Sequence, residues 1–71
     1  MIDRFGEKLR GLRTGRGLTL KVMAERLGYR THAYLSEIES GKKKPTAELV
    51  LKVARHFEVT TDQLLKDELD V

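Results

Sequence analysis

Three consecutive cations, Lys42, Lys43 and Lys44, directly follow a segment, Thr31 to Gly41, in which apolar residues recur at helical spacing. Leu35 and Ile38 lie three apart and predict the inward side of a short helix, which leaves His32, Ala33, Ser36 and Glu37 on the outward side. That outward set can meet base edges. A carboxylate accepts from a cytosine amino group, a small methyl packs on the methyl of thymine, and imidazole and hydroxyl groups donate or accept. Ammonium groups beside such a helix suit phosphates. These residues offer recognition of a polyanion, not bond breaking.

Arrangements for catalysis are missing from the sequence. The two histidines, His32 and His56, fall on different predicted helices with no paired carboxylates beside them, and no Ser-His-Asp or metal-ligand spacing occurs. With no cysteine there is no disulfide and no Cys-based metal site, which suits a reducing compartment. Gly15-Arg16-Gly17 lacks the preceding strand and the further glycine of a nucleotide loop. No cofactor and no small-molecule ligand is expected, and no apolar run is long enough to span a bilayer. Charge points the same way. Residues 1–57 carry 13 Lys/Arg against 6 Asp/Glu, while residues 58–71 carry 1 Lys against 5 Asp/Glu, so a basic body ends in an acidic tail.

Helices must position these groups. Phe5, Leu9 and Leu12 mark a first amphipathic helix, closed by Thr14-Gly15-Arg16-Gly17. Thr19 is placed to cap a second, whose inner residues are Met23, Ala24 and Leu27 and which Gly28 ends. Thr31 is read as the cap of the third. Pro45-Thr46 opens a fourth along Leu49, Val50, Val53, Ala54 and Phe57. Thr60 with Gln63 forms a capping box for a short fifth helix through Leu64 and Leu65. No strand pattern appears, so the fold class is all-α with five helices: residues 1–66 form one domain and residues 67–71 a short acidic tail. The second and third helices, joined by a tight turn, make a helix-turn-helix that can push a helix into the major groove of double-stranded DNA.

The order Leu9-x-x-Leu12-Arg13, Gly17-Leu18-Thr19, Met23-Ala24-Glu25-x-Leu27-Gly28, Leu35-Ser36-x-Ile38-Glu39-x-Gly41 and Pro45-Thr46 resembles the lambda-repressor-like helix-turn-helix family, the Cro and phage-repressor type. The likeness runs on through Val53-Ala54-x-x-Phe57-x-Val59-Thr60-x-Asp62-x-Leu64-Leu65 and covers roughly residues 5–65. It implies a bacterial or phage-encoded cytoplasmic transcriptional regulator, read here as a repressor that binds an inverted-repeat operator as a homodimer. By the same resemblance Thr31, His32, Ala33, Ser36 and Glu37 read bases. Thr19, Arg30, Lys42, Lys43, Lys44 and Thr46 hold phosphates, and Arg13 and Glu39 form an ion pair that ties the first helix to the third. The dimer surface falls on the fifth helix and tail, with Val59, Leu64, Leu65, Leu69 and Val71. Tyr34 is expected at the edge of the core with its hydroxyl in water, and Tyr29 in an apolar socket.

Two departures from the family pattern stand out. One extra residue separates Gly28 from Leu35, which predicts a longer turn and a third helix that is rotated or begins later. Leu20 stands where the family usually has glutamine. Either it meets a thymine methyl, or it joins Val22 in a second apolar patch. The patch carries the alternative reading, a helix-turn-helix used mainly for protein contacts, as in an antitoxin or accessory subunit.

Overall fold

The computed structural model describes residues 3–71, so residues 1 and 2 of the expected domain lie outside the described residues. It is all-α, in the order α1 (Phe5–Gly15), α2 (Leu20–Leu27), α3 (Ala33–Glu39), α4 (Ala47–Phe57) and α5 (Thr61–Leu65). Three threonines start helices as their sequence positions predict. Thr19 Oγ1 accepts from the Val22 N–H at 3.1 Å, and Thr46 Oγ1 accepts from the Leu49 N–H at 3.1 Å. Thr60 and Gln63 complete a reciprocal capping box. Gly28 ends α2 with φ 86°, a left-handed conformation that glycine adopts at little cost. Glu58 does the same for α4 with φ 55° and ψ 44°, and there a Cβ makes the conformation costly.

The inner faces converge on one core. Phe5 and Leu9 of α1, Met23 of α2, Leu35 and Ile38 of α3, Leu49 and Val53 of α4 and Leu64 of α5 are all fully or almost fully buried. Helix α1 packs against α3 and α5, while α4 packs against α2 and α5. Helix α3 is thereby held on α1 and α2 with its other side turned outward. Leu64 is core, not surface. Its place in the expected dimer surface is corrected, because α5 is short and must turn its one large inward residue onto α1 and α4 to stay attached.

Close approach fixes the angle of α3. A Cβ at Gly6 would collide with the Ile38 carbonyl and lie 2.9 Å from the Glu39 carbonyl oxygen, so α1 touches the end of α3 backbone to backbone. Two charged residues also serve the fold. Lys8, only 3% exposed, donates from Nζ to the carbonyls of Gln63 at 2.6 Å and Lys66 at 2.7 Å, closing the end of α5. Arg16 lies 5.1 Å above the Phe57 ring and donates to the Phe57 carbonyl at 3.2 Å, which anchors the end of α4.

The acidic end folds back. Asp67 accepts from the backbone N–H of Arg4 at 3.1 Å and of Asp3 at 3.4 Å, so a residue more than sixty positions away caps α1. Arg4 answers by donating to the Asp67 carbonyl at 2.6 Å and to Asp70 at 3.2 Å. Partial burial pushes the Asp67 carboxyl upward, and the backbone N–H groups of Arg4 and Asp3 are among the groups that hold it below its ordinary 3.8.

Candidate nucleic-acid interface

Helix α3 begins late, in line with the extra residue in the turn, and its start does not fall at Thr31. Its N-cap is His32, with nearly helical dihedrals and no side-chain cap bond, and the first helical residue is Ala33. The expected cap at Thr31 is therefore corrected: the extra residue in the turn moves Thr31 one position too far from the helix to reach its first N–H groups. Ala33, Ser36 and Glu37 occupy positions one, four and five of the helix and share its outer face. Ala33 and Ser36 are exposed and Glu37 half-buried. Exposed Thr31 and His32 sit at the leading edge, along a groove with Arg30 and Lys21. Lys21 was missed in the sequence, where it reads as one more solvated residue of α2.

The orientation of α3 rests on a half-sequestered charge cluster. Arg13 Nε donates to Glu39 Oε2 at 2.8 Å and its Nη2 to Oε1 at 3.1 Å, while Nη1 donates to the Leu18 carbonyl at 2.8 Å. The two side chains are 14% and 7% exposed. One guanidinium thus ties α1, the entry to α2 and the end of α3 together.

The lysine loop is stapled to the same helix. The Glu37 carbonyl accepts from the N–H groups of Lys42 at 2.9 Å and Lys43 at 3.3 Å, and the Ser40 hydroxyl donates to it at 3.1 Å. Lys43 Nζ reaches Glu37 Oε1 at 3.4 Å, which places a cation on the one acid of the outer face and reduces its repulsion of phosphates. Lys42 and Lys44 are exposed on the loop. Thr46 then begins α4, and Thr19 begins α2. An α-helix leaves its first backbone N–H groups unpaired within the helix, and each of these ends offers some to an anion.

Behind α3 an aromatic step supports the loop. The rings of Tyr29 and Tyr34 lie 5.4 Å apart, with Lys52 at 4.5 Å over Tyr29 and Lys43 at 6.0 Å from Tyr34. Tyr29 is half-buried against the core. Burial pushes its phenol upward, and the neighbouring Lys52 opposes this. The Tyr34 hydroxyl is buried and makes no hydrogen bond among the described residues, which corrects the expected wet hydroxyl: the ring is drawn inward by Tyr29. Among the described residues no cluster of His, Cys, Asp or Glu could hold a metal ion. No helix among them is long and apolar enough to cross a membrane.

An outward α3 is braced from α1, with loop cations and two helix N-termini around it, and the family described as Helix-turn-helix domain matches residues 4–67. The chain belongs to the lambda-repressor-like helix-turn-helix family of DNA-binding domains. Within this helix-turn-helix family it is 44% identical over 64 residues to the HTH-type transcriptional activator BcrR of Enterococcus faecalis, covering 90% of this chain and 31% of the activator. The N-terminal DNA-binding domain of SinR from Bacillus subtilis superposes with a TM-score of 0.82 at 27% identity, over 93% of this chain and 96% of that one. The P22 c2 repressor, solved with a synthetic operator, shares the fold with a TM-score of 0.80 at 22% identity, over 90% and 96% of the two chains. This helix-turn-helix chain spans about a third of the length of the Enterococcus relative.

Proposed function

We propose that this chain reads a specific duplex sequence as one half of a homodimer on an inverted repeat, and that its occupancy represses transcription. The observation that supports this best is the outer face of α3. Its side chains are small or polar, its angle is fixed by the Arg13–Glu39 pair and the Gly6 contact, and the lysine loop flanks it. In this reading Ala33, Ser36 and Glu37 face base edges, with Thr31 and His32 at the rim. Lys42, Lys43, Lys44 and Arg30, with the helix starts at Thr19 and Thr46, hold phosphates.

The dimer surface moves slightly from the sequence reading. An apolar groove runs between α4 and α5, lined by Pro45, Ala47, Val50, Leu51, Thr61 and Leu65. Leu51 is 47% exposed beside it, a knob next to a hole. A two-fold pair needs such a self-complementary patch, because each copy presents both the projecting and the receiving part. Leu65 lines that groove, and Val59, Leu69 and Val71 complete the surface in this reading, with Leu69 and Val71 exposed. Repression requires only occupancy, whereas activation, as in the name of the Enterococcus relative, requires a further contact with the transcription machinery.

The test is binding to labelled duplexes across a salt series. Each phosphate contact adds about 0.9 to the slope of log affinity against log salt. Replacing Lys42 and Lys44 with alanine, which leaves the Lys43–Glu37 pair in place, is expected to weaken all duplexes alike and lower the slope by about 2. A variant that changed sequence preference with its slope intact would overturn this division of roles. Solution mass at tens of micromolar decides the dimer: a strict monomer that stays monomeric on its operator refutes it.

A further inference from the structure

Helix α2 presents its first side chain to the outer face of α3. Leu20 lines one groove with Ser36 and Ser40, over the Arg13–Glu39 pair and beside Arg10. Its inner side packs against the core, and the part left exposed is the sole apolar contribution among the residues that line that groove. Val22, two residues on, points about 200° away around the helix. The two do not form one patch, so a protein-binding surface built on both loses its basis.

A hydrocarbon gains nothing from a phosphate, and its neighbours in the groove are polar. If Ser36 faces a base edge, as the proposed function has it, Leu20 is carried to the adjoining base step. On the major-groove edges the apolar group is the 5-methyl of a pyrimidine. We propose that Leu20 is a specificity-determining residue whose side chain packs on a pyrimidine 5-methyl group beside the base that Ser36 contacts. Glu39, which would otherwise set a carboxylate near this contact, is neutralised by Arg13. Thymine and 5-methylcytosine both supply the methyl.

The test starts from the duplex that the full chain selects from a random pool. Each thymine is replaced in turn by deoxyuridine, which removes the methyl and leaves the pairing edge unchanged. One thymine per half-site is expected to lose about fourfold in affinity, the value of one buried methyl group. Leu20→Ala is expected to bind both duplexes equally at that position. If its melting falls below the assay temperature, Leu20→Gln, which keeps the chain length, replaces it. At the same position cytosine is compared with 5-methylcytosine. A gain from the methyl marks the methyl alone as sufficient, and a gain confined to thymine marks thymine as the ligand; either supports the inference.

A selected operator with a flat uridine scan overturns it, as does a scan in which every uridine penalty persists in the Leu20 variant. Both outcomes leave the proposed function standing. Failure of the pool to enrich any sequence removes that function and this inference with it.

Discussion

Breaking the Arg13–Glu39 pair from one side should cost far more than removing it altogether. The carboxylate accepts two hydrogen bonds from one guanidinium, the same guanidinium holds the Leu18 carbonyl, and the pair is mostly hidden from water. Stranding one buried charge costs about 3–5 kcal/mol, whereas an apolar replacement of both partners is close to neutral. A chain of this length has about 4–10 kcal/mol of stability, so the single loss removes a large share of it. Arg13→Met leaves a carboxylate and a carbonyl unserved and should be the worse variant. Glu39→Met leaves an arginine that keeps Leu18 and can turn outward. Urea unfolding followed by circular dichroism would show Arg13→Met lowered by about 3 kcal/mol or more, Glu39→Met by less, and the double variant by only about 1–2 kcal/mol, the cost of the Leu18 carbonyl that it still leaves unserved. If Arg13→Met lies within about 0.5 kcal/mol of the parent, the pair behaves as an exposed surface contact and the reasoning fails.

Three other perturbations probe separate parts of the account. Gly6→Ala forces α1 away from the Ile38 and Glu39 carbonyls, so thermal melting should fall and affinity for the selected operator should fall with it; unchanged melting would show that the approach is not tight. Glu58→Gly relieves a left-handed glutamate and should raise stability by up to about 1 kcal/mol in the same urea assay, while Glu58→Ala should not. Asp67, held below its ordinary value in part by backbone N–H groups, contributes stability that is fully present above the usual carboxyl range and is lost as pH falls through its lowered folded-state value. Asp67→Asn should therefore flatten the acid limb of the stability profile, and an unchanged limb would mean that the tail contact does not matter.

Local chemistry made much of this fold legible. A threonine caps a helix through N–H groups two or three residues away, so Thr19, Thr46 and Thr60 could be placed from spacing alone. The inner stripes of α1, α2 and α4 followed helical period for the same reason. Thr31 failed by one residue because the extra turn residue signals a later start without fixing which residue becomes the cap. Lys8 reads as a solvated position on an amphipathic helix, and only the end of α5 arriving beside it explains its burial. Asp67 capping α1, Leu51 beside the α4–α5 groove and Leu64 in the core are likewise products of tertiary contact. The candidate interface was legible as a set of residues but not as geometry. Glu37 and Lys43 were expected to act separately, one on a base and one on a phosphate, and their ion pair couples those roles.

In the proposed function α3 reads bases while its surroundings hold the backbone. Selection of duplexes from a random pool at moderate salt, followed by sequencing, tests it most directly. An enriched inverted repeat with half-sites about one helical turn apart is expected, with loss of preference at one position per half-site when Glu37 is replaced. A pool returned without enrichment, or one whose preference is untouched by changes at Ser36 and Glu37, would contradict it.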